Sequence, residues 1–130
     1  MKHHIYSFEN LEVWQLARKI RVEIYKLTCK FPKEEQFNLT SQLRRSIGSI
    51  SSNIVEGSGR ATGKDKANFT NTSYSSALES LDHLIAAYDL KFIDENEYMN
   101  MRIKLDELIN KLNAYYKYQV ARNSNLKDQL

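Results

Sequence analysis

Residues that break helices are scarce in this chain: one proline, Pro32, and four glycines among 130 residues. With so few interruptions, long helices are expected. The single cysteine, Cys29, excludes an internal disulfide and suits a reducing compartment. Late in an amphipathic stretch, it reads as a small packed side chain rather than a nucleophile. No apolar run approaches the ~20 residues that cross a bilayer. The N-terminal stretch lacks a secretory hydrophobic region, so a membrane is not an expected partner and a cytoplasmic location is. Histidine is also rare. Beyond His3 and His4 only His83 occurs, and no Glu stands three residues before it. That removes the Glu-x-x-His halves of a di-iron bundle site. The run Gly57 to Arg60 lacks the Lys-Ser/Thr ending and the preceding strand of a phosphate-binding loop. No placement of Ser, His and Asp suggests a nucleophile with its base. No catalytic residue, metal ligand or cofactor is expected, and the chain reads as non-enzymatic.

What is present is helical periodicity. The chain is 42% hydrophobic and 27% charged, which suits one soluble domain. Val13, Leu16, Ala17, Ile20, Ile24, Leu27 and Phe31 mark one face of a first helix, capped by Ser7 or Asn10 and stopped by Pro32. A second helix begins after Asn38, its expected cap, buries Leu39, Leu43, Ile47, Ile50 and Ile54, and runs to Gly57 and Gly59. Thr62 and Asp65 have capping-box spacing ahead of a third helix, whose expected core face is Tyr74, Leu78, Leu81, Ile85 and Tyr88. Asp94 and Glu97 repeat that signal before a fourth helix. There Tyr98, Met101, Leu105, Leu108, Leu112 and Tyr115 alternate steps of three and four, the spacing of a left-handed bundle seam. Short connections make successive helices antiparallel. The expected fold is all-α, an up-down-up-down four-helix bundle over residues 1–122, with 123–130 a polar, frayed tail.

The surfaces left over are less ordinary. The net charge is only +3, but residues 1–33 are mostly basic and residues 67–110 mostly acidic, so a basic and an acidic side are expected. Lys19, Lys26, Lys30 and Lys33 form a basic stripe on the first helix, supplemented by Arg44, Arg45 and Arg60 on the second; these are the candidate nucleic-acid-binding residues. Trp14, Arg18, Arg21 and Tyr25 occupy another face of the first helix. They pack at the bundle's shoulder, form a subunit contact, or present rings to RNA bases. The subunit contact is the favoured functional reading. The second helix sets Gln42, Arg45, Ser49, Ser52, Glu56 and Arg60 opposite its isoleucines, with Gly48, Ser51 and Asn53 between. Serines are mediocre in exposed helix interiors, so something approaches this helix closely. Ser73, Ser76, Ser80 and Ala87 on the third helix offer matching small groups.

The string FENLEVWQLARKIRVEIYKLTCKFPKEEQFNLTSQLRRSIGSISSNIVEGSGR, residues 8–60, resembles the four-helix-bundle proteins encoded by intervening sequences within bacterial 23S rRNA genes. Leu11, Val13, Trp14 and Ala17, then IYKLT, FPKEEQF, QLRRSIGSISSNIVEG and Arg60 carry the likeness; it continues more weakly through Phe69 and SSALESL. Gly48, Ser51 and Ser52 stand where the family often has Ala or Pro. The resemblance implies a homopentameric ring, nucleic-acid binding through basic surface with rRNA a candidate ligand, and kinship with the subunit that accompanies the reverse transcriptase of diversity-generating retroelements. A ring of heterologous contacts needs two different surfaces on each subunit. Ser49, Asn53 and Glu56 join Trp14, Arg18, Arg21 and Tyr25 as candidates for those contacts. The expected function is a non-enzymatic, homo-oligomeric RNA-binding protein; the alternative is an assembly adaptor for a protein partner such as a reverse transcriptase.

Overall fold

The computed structural model describes residues 1–122, so the expected tail at 123–130 lies outside the described residues. Four helices follow in order: α1 Glu12–Thr28, α2 Leu39–Ser58, α3 Gly63–Asp89 and α4 Glu95–Ala121. Short 3-10 turns at Ser7–Asn10 and Lys33–Glu35 precede α1 and α2. Each helix packs on its two neighbours around a closed circuit, α2 on α3 most extensively and α4 on α1 least. This is the expected antiparallel bundle. The described residues contain no strand.

The helix ends depart from the sequence reading at three places, one of them Asn38, which stands before α2 without a side-chain cap bond. Neither Ser7 nor Asn10 caps α1; Leu11 stands at its start without a side-chain cap, because residues 7–10 are already wound into a turn. At its far end α1 tightens into 3-10 bonds, Cys29 N–H to Lys26 O and Phe31 N–H to Thr28 O, before Pro32 is reached. Elsewhere the signals hold. Thr62 accepts the Asp65 N–H, and Asp94 with Glu97 closes a reciprocal box at 2.8 and 2.9 Å. The α3–α4 corner is a Schellman turn: Phe92 N–H bonds Ala87 O, Lys91 N–H bonds Tyr88 O, and Lys91 takes a φ of 63°.

The core is drawn from the expected stripes on three helices. Val13, Ala17, Ile20 and Ile24 of α1, all five apolar positions of α2, and Met101, Leu105, Leu108 and Leu112 of α4 are buried. On α3 the expected face is displaced by one residue. The buried positions are Ala67, Thr70, Ser73, Ala77, Ser80, Leu84 and Ala87, while Leu78 is exposed and Tyr74, Leu81, Ile85 and Tyr88 are half-buried. Proximity to α2 is the cause. Ser73 Oγ donates to the Ile50 carbonyl at 2.6 Å, Ser80 Oγ bonds Ser46 Oγ at 2.8 Å, and Ser49 and Ser76 share a bond at 2.9 Å. A Cβ on Gly57 would stand 2.9 Å from Phe69 Cβ and 3.3 Å from the Lys66 carbonyl. Helices this close leave room only for small groups at their contact line, so the larger rings move to the shoulders. There Tyr88 stacks on Tyr98 of α4 with centroids 4.5 Å apart. What crowds α2 is therefore α3, and the small faces of both helices meet.

Candidate nucleic-acid interface

With α2 on one side and α4 on the other, α1 keeps one solvent face. Its α4 side is stitched by ion pairs: Glu12 with Lys111, Glu23 with Lys104, and Lys30 with Glu97. Part of the basic–acidic asymmetry of the sequence is thus consumed inside the bundle. The backbone N–H of Asp94 and the Lys30 ammonium hold the Glu97 carboxyl below its ordinary value. Lys30 is a partner of α4 as much as a member of a basic stripe.

The seven expected nucleic-acid residues do not form one patch. Arg45 lies on the α2–α3 seam, bonded to Gln42 and paired with Glu79. Burial pushes the Glu79 carboxyl up, but bonds from His83 and Arg45 outweigh it and leave that group below its ordinary value. Arg60 lies at the end of α2, where its guanidinium sits 4.6 Å over the Phe69 ring and 3.6 Å from Glu56. Lys19, Lys26 and Lys33 are exposed and, among the described residues, form no ion pair; nor do Arg18, Arg21 and Arg44. Arg18, Lys19, Arg21 and Lys26 are carried by α1, Arg44 by α2 beside it, and Lys33 by the turn that follows α1.

Arg44 is the most constrained of them. Its Nε donates to Thr28 Oγ1 at 2.8 Å, one terminal nitrogen donates to Tyr25 O at 3.3 Å, and its plane lies 4.6 Å over the Tyr25 ring. Thr28 is itself buried and donates to Ile24 O at 2.8 Å. Arg44 thereby caps the Tyr25 carbonyl in the last turn of α1, where a helix dipole favours a cation. Arg21 crosses to α2 through a 3.3 Å bond to Ser51 Oγ. A groove of ≈ 610 Å³ follows, lined by Arg21, Val22, Tyr25, Lys26, Cys29 and Arg44. No carboxylate is among these six.

The expected subunit-contact residues also separate. Trp14 is half-buried against the core, edge-on to Phe8 at 5.1 Å, with Arg18 at 5.4 Å from its ring centre. It lies on a broader groove, shared with Ile5, Arg18, Val22 and the charged residues Glu23 and Glu107. Tyr25 lies three turns further on and belongs to the cationic groove. Ser49 turns toward α3 through its bond with Ser76, and Asn53 Nδ2 turns back along α2, donating to Ser49 O at 2.8 Å and Ser49 Oγ at 2.9 Å. Glu56 pairs with Arg60.

The sequence reading missed two groove residues. Cys29, expected to be packed, is exposed, because α1 ends one residue before it. Val22 is half-exposed, though its position four residues from Arg18 already placed it on the outer face. Among the described residues no three His, Cys, Asp or Glu gather to hold a metal ion, and no helix is long and apolar enough to cross a membrane.

The family model described as 23S rRNA-intervening sequence protein matches residues 9–114. A crystal structure from Bacteroides thetaiotaomicron, described as a protein with unknown function from the S23 ribosomal protein family, is similar in fold. Its TM-score is 0.73 at 23% identity, over 81% of this chain and 98% of that one. No curated protein matches this sequence.

Proposed function

Because this chain belongs to the 23S rRNA-intervening sequence protein family, we propose that it is a non-enzymatic, homo-oligomeric protein that binds RNA or another nucleic acid through the outer face of α1. One observation carries the reading. Lys30, Arg45, Arg60, Arg102, Lys104 and Lys111 pair with glutamates or aspartates. Arg18, Lys19, Arg21 and Lys26 on α1, Arg44 beside it and Lys33 just after it have no such partner and gather around one helix, whereas the other unpaired cations, such as Lys64, Lys91 and Lys117, are spread over α3, the α3–α4 corner and α4. Cations with no carboxylate partner keep their charge available to displace counterions from a polyanion. One subunit of net charge +3 binds weakly. A ring, a pentamer by the family resemblance, repeats the face about an axis and gains avidity with no new contact. The exposed Ile5 beside half-buried Trp14 supports a subunit contact at the N-terminal end of α1.

The test is the salt dependence of RNA affinity, read by fluorescence anisotropy, with mass followed by light scattering. Affinity should fall with salt at a slope of about 0.7–0.9 for each phosphate neutralised. Lys19→Gln with Lys26→Gln should lower affinity and slope together while the mass is unchanged. Arg45→Gln, which removes a paired cation, should leave the slope alone. Absence of nucleic-acid binding even at low salt refutes the reading and leaves the adaptor role, with a protein partner such as a reverse transcriptase, as its replacement.

A further inference from the structure

We infer that the groove between α1 and α2 holds an unpaired stretch of nucleic acid, one base lying on the exposed part of the Tyr25 ring and the flanking phosphates on Arg21, Lys26 and Arg44. This rests on the nucleic-acid binding proposed above and goes further by naming the place and the form of the strand. The groove's ≈ 610 Å³ lies within the ~300–1,000 Å³ range of small-ligand sites, room for one nucleotide unit. Its wall carries three cations and no carboxylate, so the charge complementarity is with an anion. Tyr25 is 43% exposed yet already immobilised, since Arg44 covers it at 4.6 Å and is itself tied to buried Thr28 at 2.8 Å. A ring fixed in this way is a preformed platform, and little ordering is left to be done when a ligand arrives.

The chemistry selects single strands. In a duplex the faces of the bases are stacked on one another, and a protein meets phosphates and edges alone. An unpaired base exposes its π face, which any aromatic ring or guanidinium plane accepts regardless of base identity. No Asn or Gln lines the groove to read an adenine edge, so weak sequence preference is expected. An acidic peptide would satisfy the cations but leave the Tyr25 and Val22 surfaces uncovered.

Cys29 provides the assay. It is the only cysteine, it is exposed, and its Sγ lies 3.7 Å from an Arg44 nitrogen inside the groove. The full chain is alkylated with neutral iodoacetamide while saturated with a short oligouridylate, the DNA strand of equal length, an RNA duplex or a polyglutamate peptide. Anisotropy measures binding of each in parallel. Single strands should slow Cys29 alkylation several-fold, and duplex or peptide at equal occupancy should not. Tyr25→Ala should lower single-strand affinity by about 5- to 150-fold, the range of one lost stack, with the salt slope retained. Tyr25→Phe should behave as the parent protein. Single strands that bind without protecting Cys29 would overturn this inference and leave the nucleic-acid function standing. Equal protection by duplex or peptide, or an unchanged affinity in Tyr25→Ala, would overturn the base platform. If nothing binds, both readings fall together.

Discussion

Two glycines on α2 offer the sharpest test of the packing argument, because the same substitution should act with opposite sign at each. Gly→Ala inside a helix gains roughly 0.5–1 kcal/mol, largely by restricting the unfolded chain. At Gly48 nothing lies within 4 Å of the added Cβ, so Gly48→Ala should realise that gain. At Gly57 the new methyl would stand 2.9 Å from Phe69 Cβ and 3.3 Å from the Lys66 carbonyl. Neither neighbour is the loose end of a side chain; both ride on α3, so α2 and α3 must separate. Overpacking of this kind costs about 1–3 kcal/mol, which outweighs the propensity gain. Gly57→Ala should lose about 1–2 kcal/mol net. The assay is urea unfolding followed by circular dichroism at one fixed protomer concentration, since oligomerisation makes apparent stability concentration-dependent. The midpoint should rise for Gly48→Ala and fall for Gly57→Ala with little change in slope. A Gly57→Ala protein as stable as the parent would refute the close approach of α2 and α3. A loss at Gly48 that grows with protomer concentration would instead place a second subunit against that open surface.

Leu105 is fully buried on the α4 seam, so Leu105→Ala should cost about 2–5 kcal/mol by urea unfolding. Lys91 adopts a φ of 63° at the α3–α4 corner, and Lys91→Gly should stabilise by about 1 kcal/mol, read as a raised melting temperature. Glu97 has a folded-state pKa below the ordinary 4.5, so its contribution is present above that value and lost as the pH falls through the folded pKa. Glu97→Gln, which cannot titrate, should flatten the loss of stability as the pH falls below 4.5 and through the folded-state pKa. Trp14→Ala should lower the mass found by light scattering before it lowers helicity; a wild-type chain that is monomeric at about 10–50 μM would remove the ring from consideration.

Much of the fold was legible in the sequence for a definite reason. Along α2 and α4, apolar residues at steps of three and four fall on one side of the helix whatever stands opposite, and Asp94 with Glu97 satisfies its helix end locally. These are short-range properties of one element. The face of α3 was not of that kind. Tyr74, Leu78, Leu81, Ile85 and Tyr88 are its most apolar line, yet Ser73, Ala77 and Ser80 lie deepest, because the distance to α2 decides which volume fits. Charge followed the same division. The sequence supplied the lysines of α1 and arginines of α2, but only their neighbours across the bundle determined that Lys30, Arg45 and Arg60 are neutralised while Lys26 and Arg44 are not. The cationic groove likewise draws five residues from α1 and its end and one from α2, sixteen positions from Thr28 to the arginine that pins it. Periodicity reports which side of a helix turns inward; how near the next helix comes, and which side chain it brings, is settled only when the four are packed together.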